Sequence, residues 1–158
     1  MGREFAAHIQ YLQISAWFEG EGLPELARFF ADQAAEEHVH ALKFLRYLED
    51  AGAGPEIPAI EAPRHAFETA EEAVSLSLDQ ELAVTRYIDE LVTESQSRGD
   101  HATTAFLQWF VTEQVEEVAT MTELLQVVRR AGEGGLLLVE DHVARGRQRA
   151  PGAAGEAA

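Results

Sequence analysis

Four stretches of the chain each place a carboxylate inside a helical stripe of apolar side chains. At about 100° per residue, Glu37 and His40 fall on the same face as Phe30 and Phe44. The other stretches hold Glu4 in line with Tyr11 and Phe18, Glu81 in line with Leu78 and Ile88, and Gln114 and Glu117 among Phe110 and Met121. An ionised carboxylate in a dry core costs several kcal/mol without a partner. Four helices that share this feature predict one shared cluster of cations.

Composition limits the kinds of metal site that the chain can build. The 158 residues include no cysteine, which excludes disulfides, thiolate zinc sites and cysteine-ligated iron–sulfur clusters. Any metal must therefore be held by oxygen and imidazole. The formal net charge of −16 disfavours nucleic acid and anionic membranes and attracts cations. No apolar run is long enough to cross a membrane and no targeting leader is evident, so we expect a cytoplasmic protein without nucleic-acid or membrane partners.

Turn residues divide the chain into four long helices and a short fifth one. The first helix runs to about Phe18, and the second begins at Leu23-Pro24 and continues to about Asp50. The segment AGAGPEIPAIEAPRHAF follows, with three prolines and two glycines, and is long for a connection in a compact domain. A connection of that length predicts a crossover along the bundle, which makes the second and third helices parallel.

Capping signals predict where the later helices begin. Thr69, with Glu72 as its capping-box partner, opens the third helix, and Asp100 opens the fourth, which extends to about Ala131. A glycine-rich turn then leads to a helix over Leu136 to about Arg145. The predicted fold is all-α, a four-helix bundle with one long crossover and a short fifth C-terminal helix. It forms one domain over residues 1–145, with a first helix that is short at its N-terminus, and residues 146–158 form a disordered tail.

The acidic residues have the spacing that a dinuclear metal site requires. Glu37 and His40 project from one helix face at i and i+3, and so do Gln114 and Glu117. Glu4 and Glu81 supply one oxygen ligand each from the other two helices. This arrangement is typical of carboxylate-bridged dinuclear sites in four-helix bundles, except that a second Glu-x-x-His is replaced by Gln114-Val115-Glu116-Glu117.

Four sequence segments carry a resemblance to a known family. The runs EFAAHIQY, AAEEHVHAL, LDQELAVT and FLQWFVTEQVEE resemble the non-haem bacterial ferritins, close to the actinobacterial type, and the likeness extends from Glu4 to about Arg145. The resemblance implies a ferritin-like fold. It also implies an iron-storage protein with ferroxidase activity, in which Fe(II) and dioxygen are the substrates and Fe(III) mineral is deposited inside a homo-oligomeric cage of 24 subunits.

The resemblance also implies roles for individual residues. By the family's pattern, Glu4, Glu37 and His40 bind a first iron, and Glu37 bridges to a second iron that is held by Glu81 and Glu117. Gln114 orients dioxygen. A third iron site involves Glu36, Glu113 and Glu116 with Glu117, although from the residues alone these acids are equally typical of a solvated face. Tyr11 matches a redox-active tyrosine and Trp109 its neighbour, where ordinary core packing is the alternative.

Departures from related families narrow the expected cofactors. Bacterioferritins carry a second Glu-x-x-His and a haem-ligating methionine, whereas this chain has only Met1 and Met121. We therefore expect iron as Fe2+/Fe3+, two ions per subunit at the centre with a third outside it, and no haem. His38, His65, His101 and His142 show no ligand partners in the sequence and are expected mostly at the surface or in loops, and His8 is expected to donate a hydrogen bond in the core.

Two other functions are compatible with the pattern. One is a ferritin-like di-iron or manganese oxidase that works as a small oligomer and stores nothing. The other is a purely structural bundle whose buried acids are paired with hidden donors. Lys and Arg are almost absent from the acidic stripes, so the donors that the structural alternative needs are hard to find in the sequence.

Overall fold

The computed structural model describes the backbone of residues 1–149 and the surroundings of side chains 1–146. Four long α-helices and a short one follow in chain order: α1 (Gly2–Gly20), α2 (Pro24–Asp50), α3 (Ala70–Ser97), α4 (His101–Ala131) and α5 (Leu136–Arg149), with a 3₁₀ turn at Glu133–Gly135 before α5. The predicted all-α bundle with a fifth helix is therefore confirmed. Helix α5 continues four residues past its expected end near Arg145, and residues 150–158 of the predicted tail lie outside the described residues.

Helix ends follow the predicted local chemistry. The hydroxyl of Thr69 accepts a hydrogen bond from the backbone N–H of Glu72, and the carboxylate of Asp100 accepts one from that of Thr103. The capping box differs in one detail, because Glu72 bonds to the backbone N–H of Glu68 and not to that of Thr69. Gly132, at φ 61°, ends α4 in a conformation that favours glycine.

The crossover makes α2 and α3 parallel, as predicted. Two glutamates that follow α4 show this arrangement. The carboxylate of Glu133 accepts a hydrogen bond from the backbone N–H of Ala70 at the start of α3. The carboxylate of Glu140 accepts bonds of 2.9 and 2.8 Å from the N–H groups of Glu25 and Leu26 at the start of α2. Both helices therefore begin at the end of the bundle where α4 finishes.

The Glu140 contact leads to a stability prediction. Glu140→Ala removes a carboxylate that caps two backbone N–H groups at a helix N-terminus, so the free energy of unfolding should fall by about 1–2 kcal/mol. Chemical denaturation monitored by circular dichroism measures this change. Glu90→Ala, at an exposed position of α3, is the matched control and should leave stability nearly unchanged. Equal effects of the two substitutions would contradict the capping role of Glu140.

The crossover is fastened to α1 by a buried amide. Gln10 Nε2 donates to the carbonyl of Arg64 at 2.9 Å, and Gln10 Oε1 accepts from the N–H of the same residue at 2.8 Å. Gln10 thereby satisfies both backbone groups of a residue that no helix or sheet supports. The later part of the connection is thus held against the middle of α1.

Two apolar clusters form the core, and they occupy opposite halves of the bundle. The larger one surrounds Phe18, Phe30 and Met121, and the smaller one surrounds Phe44 and Phe110. Within α2, α3 and α4, the buried acidic, histidine and glutamine side chains fall in sequence between the members of the two clusters. A polar layer therefore separates the two apolar cores. Within the described residues, no helix is long and apolar enough to cross a membrane.

Candidate metal centre

The polar layer brings together the side chains that the sequence singled out. Six residues from the four long helices are buried there, with 1–7% of their surface exposed: Glu4, Glu37, His40, Glu81, Gln114 and Glu117. Each lies on its helix at a position one or two turns from a buried apolar residue, as the periodicity predicts. Helix packing is therefore sufficient to make the six side chains converge.

Three of these residues already have the geometry of a metal site. Glu37, His40 and Glu117 each offer one ligand atom, and these three atoms lie within 4.8 Å of one another. His40 Nδ1 is 3.6 Å from a carboxylate oxygen of Glu37. A cation placed among them would be reached by oxygen and imidazole ligands, which suit divalent first-row metals.

The buried carboxylates face no Lys or Arg partner in the described part of the chain. Within the described residues, no Lys or Arg forms an ion pair with Glu4, Glu37, Glu81 or Glu117. One carboxylate oxygen of Glu4 is buried without a hydrogen-bond partner. The structural alternative, in which hidden donors pair the acids, therefore lacks those donors in the described part of the chain. The layer has the ligands and the unmet charge that a bound cation requires.

The pKa values of the buried carboxyl groups are raised strongly. Burial, reinforced by Glu81 and Glu4, raises the pKa of Glu37 to about 10. Burial and the neighbouring carboxylates raise the pKa of Glu117 to about 9. Burial also raises the pKa of Glu4, which the nearby α-amino group of Met1 opposes. Without metal, the layer therefore holds protons at neutral pH, and a cation must displace them.

Glu81 is held from two sides by hydrogen bonds. The hydroxyl of Tyr11 donates to one carboxylate oxygen of Glu81, across the bundle from α1 to α3. Gln114 Nε2 lies 3.2 Å from the other oxygen, and at the same distance from the carbonyl of Glu81 and from Thr85 Oγ1. These bonds orient the carboxylate, although burial still raises its pKa. The periodicity placed Tyr11 on the right face but could not reveal its partner.

Aromatic rings surround His40. The ring centroids of Trp109 and Phe110 lie 5.3 and 6.0 Å from that of His40, both edge to face. Lys43 places its ammonium nitrogen 3.1 Å from the Trp109 ring centroid. The sequence indicated Trp109 near the site but gave no sign of the contact with Lys43.

The outer acids border this buried layer and are less buried than its members. Glu36 and Glu116 are exposed, and Glu113 is half-buried. Burial, together with Asp32 and Glu113, raises the pKa of Glu36. Both Glu36 and Glu113 act on Glu117, whose pKa they help to raise. These two acids therefore lie near the centre on its α2–α4 side.

Comparison with known proteins identifies the family. A family model described as a ferritin-like domain matches residues 1–131. The ferritin BfrB of Mycolicibacterium smegmatis is 45% identical over 142 residues, which are 90% of this chain and 78% of that protein. The chain belongs to the ferritin family. The predicted resemblance to actinobacterial non-haem ferritins is confirmed.

Other ferritins resemble this chain in sequence and in structure. The ferritin BfrB of Mycobacterium tuberculosis is 41% identical over 152 residues, covering 96% of this chain and 83% of the relative. A bacterial non-heme ferritin of Staphylococcus aureus is 38% identical over 129 residues, covering 82% and 77%. The open-pore ferritin of Archaeoglobus fulgidus superposes with a TM-score of 0.87 at 30% identity, covering 90% of this chain and 88% of that one. The ferritin-like fold, and iron storage with ferroxidase activity as the function, are thus confirmed at the level of the family.

Proposed function

We propose that the buried polar layer is a dinuclear ferroxidase centre. In this proposal Glu4, Glu37 and His40 hold a first Fe(II), and Glu37 bridges to a second Fe(II) held by Glu81 and Glu117. The observation that carries the proposal is the set of buried carboxylates that have no Lys or Arg partner among the described residues. The ligand atoms of Glu37, His40 and Glu117 also lie within 4.8 Å of one another.

Charge balance supports two ions at this layer. The carboxylates of Glu4, Glu37, Glu81 and Glu117 carry four negative charges when deprotonated, which equals the charge of two divalent cations. The raised pKa values of Glu37 and Glu117 mean that iron binding at neutral pH releases protons. Two adjacent Fe(II) ions together give dioxygen two electrons, and the anionic oxygen ligands favour the Fe(III) product.

Tyr11 and Gln114 act on the centre through Glu81. The Tyr11 hydroxyl and the Gln114 amide hold the two carboxylate oxygens of Glu81 from opposite sides. Both residues thereby restrict the orientation of a proposed ligand to the second iron. Tyr11 is also a buried phenol that contacts the layer directly. It is therefore the candidate residue for donating a further electron to dioxygen, in addition to those from the iron ions. The amide of Gln114 is the candidate for orienting dioxygen.

The outer acids form a proposed third iron site on the α2–α4 side of the centre. Glu36, Glu113 and Glu116 with Glu117 would receive a third iron, and they would pass ions between the centre and the mineral. The exposure of Glu36 and Glu116 suits transient binding of hydrated cations.

Storage requires a closed assembly, and we propose a cage of 24 copies that works in the cytoplasm. Leu137 and Leu138 on α5 are 78% and 72% exposed in the single subunit, whereas Val139 on the same helix is fully buried. Exposed leucines of this kind supply an apolar face for contacts between copies. The single domain over residues 1–145 would be the repeating unit.

Anaerobic titration tests the centre directly. Fe(II) added without oxygen should saturate fast-reacting sites at two ions per subunit, with release of protons, and a pulse of dioxygen should then oxidise both ions together. Stopped-flow absorbance and a pH indicator provide the two readouts. Saturation at a single ion per subunit, or oxidation no faster than that of Fe(II) in buffer, would contradict the proposal.

Gln114→Glu separates oxygen chemistry from iron binding. The new carboxylate would stand 3.2 Å from Glu81 and add a negative charge to the layer, which strengthens cation binding and changes the group that faces dioxygen. We expect anaerobic Fe(II) affinity to be equal or higher and the oxidation rate to fall by about tenfold or more. Gln108→Glu, at an exposed position of the same helix, is the control. A large loss of Fe(II) affinity with a normal oxidation rate would contradict these roles.

A further inference from the structure

Two aromatic side chains border the buried layer, and the charges beside them differ. Tyr11 on α1 donates a hydrogen bond to the carboxylate of Glu81, and both residues are buried. Trp109 on α4 lies beside His40, with ring centroids 5.3 Å apart. Trp109 is half-buried, and the ammonium nitrogen of Lys43 lies 3.1 Å from its ring centroid. One ring therefore faces an acid and the other faces a cation.

The charge of Lys43 acts on Trp109 at short range. Within the described residues, Lys43 forms no ion pair with a carboxylate. Its side chain is half-buried, so water screens the charge only in part. Lysine carries its charge as a compact ammonium, and indole is the aromatic ring that attracts a cation most strongly. The ammonium and the indole face thus form a local pair beside the proposed iron ligand His40.

Oxygen reduction beside these rings creates a demand for electrons. Dioxygen needs more electrons to become water than a pair of Fe(II) ions supplies. Partly reduced oxygen at the centre can therefore take an electron from a nearby aromatic ring, which leaves a radical on that ring. Tyr11 and Trp109 both contact a proposed iron ligand, so both are placed to lose an electron in this way.

Loss of an electron leaves the two rings with different charges. An oxidised phenol is a strong acid, so Tyr11 can pass its proton to Glu81 and become a neutral radical. An oxidised indole is a much weaker acid and is a radical cation at first. On Trp109 this positive charge would form 3.1 Å from the Lys43 ammonium, so an attraction to the intact ring becomes a repulsion.

On the basis of the ferroxidase function proposed above, we propose that Lys43 protects Trp109 from one-electron oxidation at the centre. The ammonium raises the reduction potential of the indole. In the disfavoured step, Trp109 would lose an electron to partly reduced oxygen and then its N–H proton to water. Partly reduced oxygen takes its electron from Tyr11 or from another Fe(II) ion instead. Lys43 contacts neither iron nor oxygen and acts through the ring of Trp109.

Azide radicals test this protection in the metal-free protein. They remove one electron from indole rings, and mass spectrometry of tryptic peptides counts the oxygenated products of Trp109 and Trp17 separately. Trp17 is also half-buried and its ring contacts are Phe18 and Phe67, so it serves as the internal reference. Lys43→Met removes the charge and should raise the ratio of Trp109 to Trp17 products by about tenfold or more. Lys43→Arg keeps the charge and should match the unmodified protein.

The matched control removes a charge one turn further along α2. Arg46 is exposed, and Arg46→Met should leave the product ratio unchanged. An unchanged ratio in Lys43→Met, with normal circular dichroism, would overturn the protective role of Lys43.

Rapid freezing during iron oxidation tests the same role at the centre. With Fe(II) added at the capacity of the proposed centre, paramagnetic resonance should detect a tryptophan radical in Lys43→Met and none in the unmodified protein. The initial rate of Fe(II) oxidation should be the same in both. Equal tryptophan signals in the two proteins, whether present or absent, would overturn the role of Lys43. Slow Fe(II) oxidation in the unmodified protein would instead contradict the ferroxidase proposal, and the azide-radical ratio would still decide whether Lys43 protects Trp109.

Discussion

Glu37→Ala is expected to abolish rapid Fe(II) oxidation. Glu37 is 2% exposed, and its ligand atom lies within 4.8 Å of those of His40 and Glu117. Its carboxylate is proposed to bind both iron ions. Its loss should remove the bridge and lower the initial oxidation rate by about 100-fold or more. Stopped-flow absorbance of Fe(III) formation at two Fe(II) per subunit measures the change.

The fold should survive this substitution. Within the described residues, no Lys or Arg pairs with the Glu37 carboxyl. Burial lowers the pKa of its neighbour His40, which favours the neutral imidazole, so the substitution leaves no buried cation unpaired. Glu49→Ala, at an exposed position of the same helix, is the matched control and should retain the full oxidation rate. Normal kinetics for Glu37→Ala, with normal circular dichroism and elution volume, would contradict the proposed centre.

The second large effect concerns stability of the metal-free protein as a function of pH. The fold raises the pKa values of Glu37 and Glu117 from 4.5, the ordinary value for a glutamate, to about 10 and about 9. A group whose folded pKa is raised contributes stability that is complete below its unfolded pKa and is lost as the pH rises through its folded pKa. Each such carboxyl therefore lowers the free energy of unfolding by on the order of 1 kcal/mol per pH unit between these limits.

We therefore expect the Tm of the metal-free protein to fall by several degrees for each pH unit between about 7 and 9. His40 acts on the other side of this window. Burial lowers the pKa of His40 below 6.5. His40 therefore destabilises the fold only as the pH falls below about 6.5, and it does not affect the trend between pH 7 and 9. Differential scanning calorimetry measures the trend. Glu117→Gln should flatten it, because an amide does not titrate.

Metal should reverse the loss of stability. A divalent cation displaces the protons and compensates the carboxylates, so Zn(II) should raise the Tm more at pH 8–9 than at pH 5. Exposed Glu90→Gln on α3, away from the proposed metal ligands, is the control, and its pH dependence should match that of the unmodified protein. A Tm of the metal-free protein that is constant or rises from pH 7 to 9 would contradict the uncompensated burial of these acids.

Periodicity was sufficient to predict the composition of the buried layer. Glu37 and His40 lie on a stripe with Phe30 and Phe44, and α2 can bury that stripe only by burying the acids with it. The long proline-containing connection likewise predicted parallel α2 and α3. Caps at Thr69 and Asp100 were predictable because they depend on residues three positions apart.

Contacts between distant segments were not predictable in this way. The bond from Tyr11 to Glu81 joins residues on two helices that the chain separates widely, and periodicity gives a face without a partner. The caps that Glu133 and Glu140 supply to α3 and α2 depend on the path of the chain after α4. The contact of Lys43 with Trp109 depends on the axial register of α2 against α4. Each of these features requires tertiary geometry.

Iron loading followed by size-exclusion chromatography tests the central claim most directly. Fe(II) is added aerobically to the purified protein, and protein and iron are quantified across the eluted peak. We expect a particle far larger than the 17.4 kDa subunit, carrying far more iron per subunit than the two ions of a dinuclear centre. Iron that stops at about two ions per subunit in a small oligomer would contradict storage and indicate an oxidase instead.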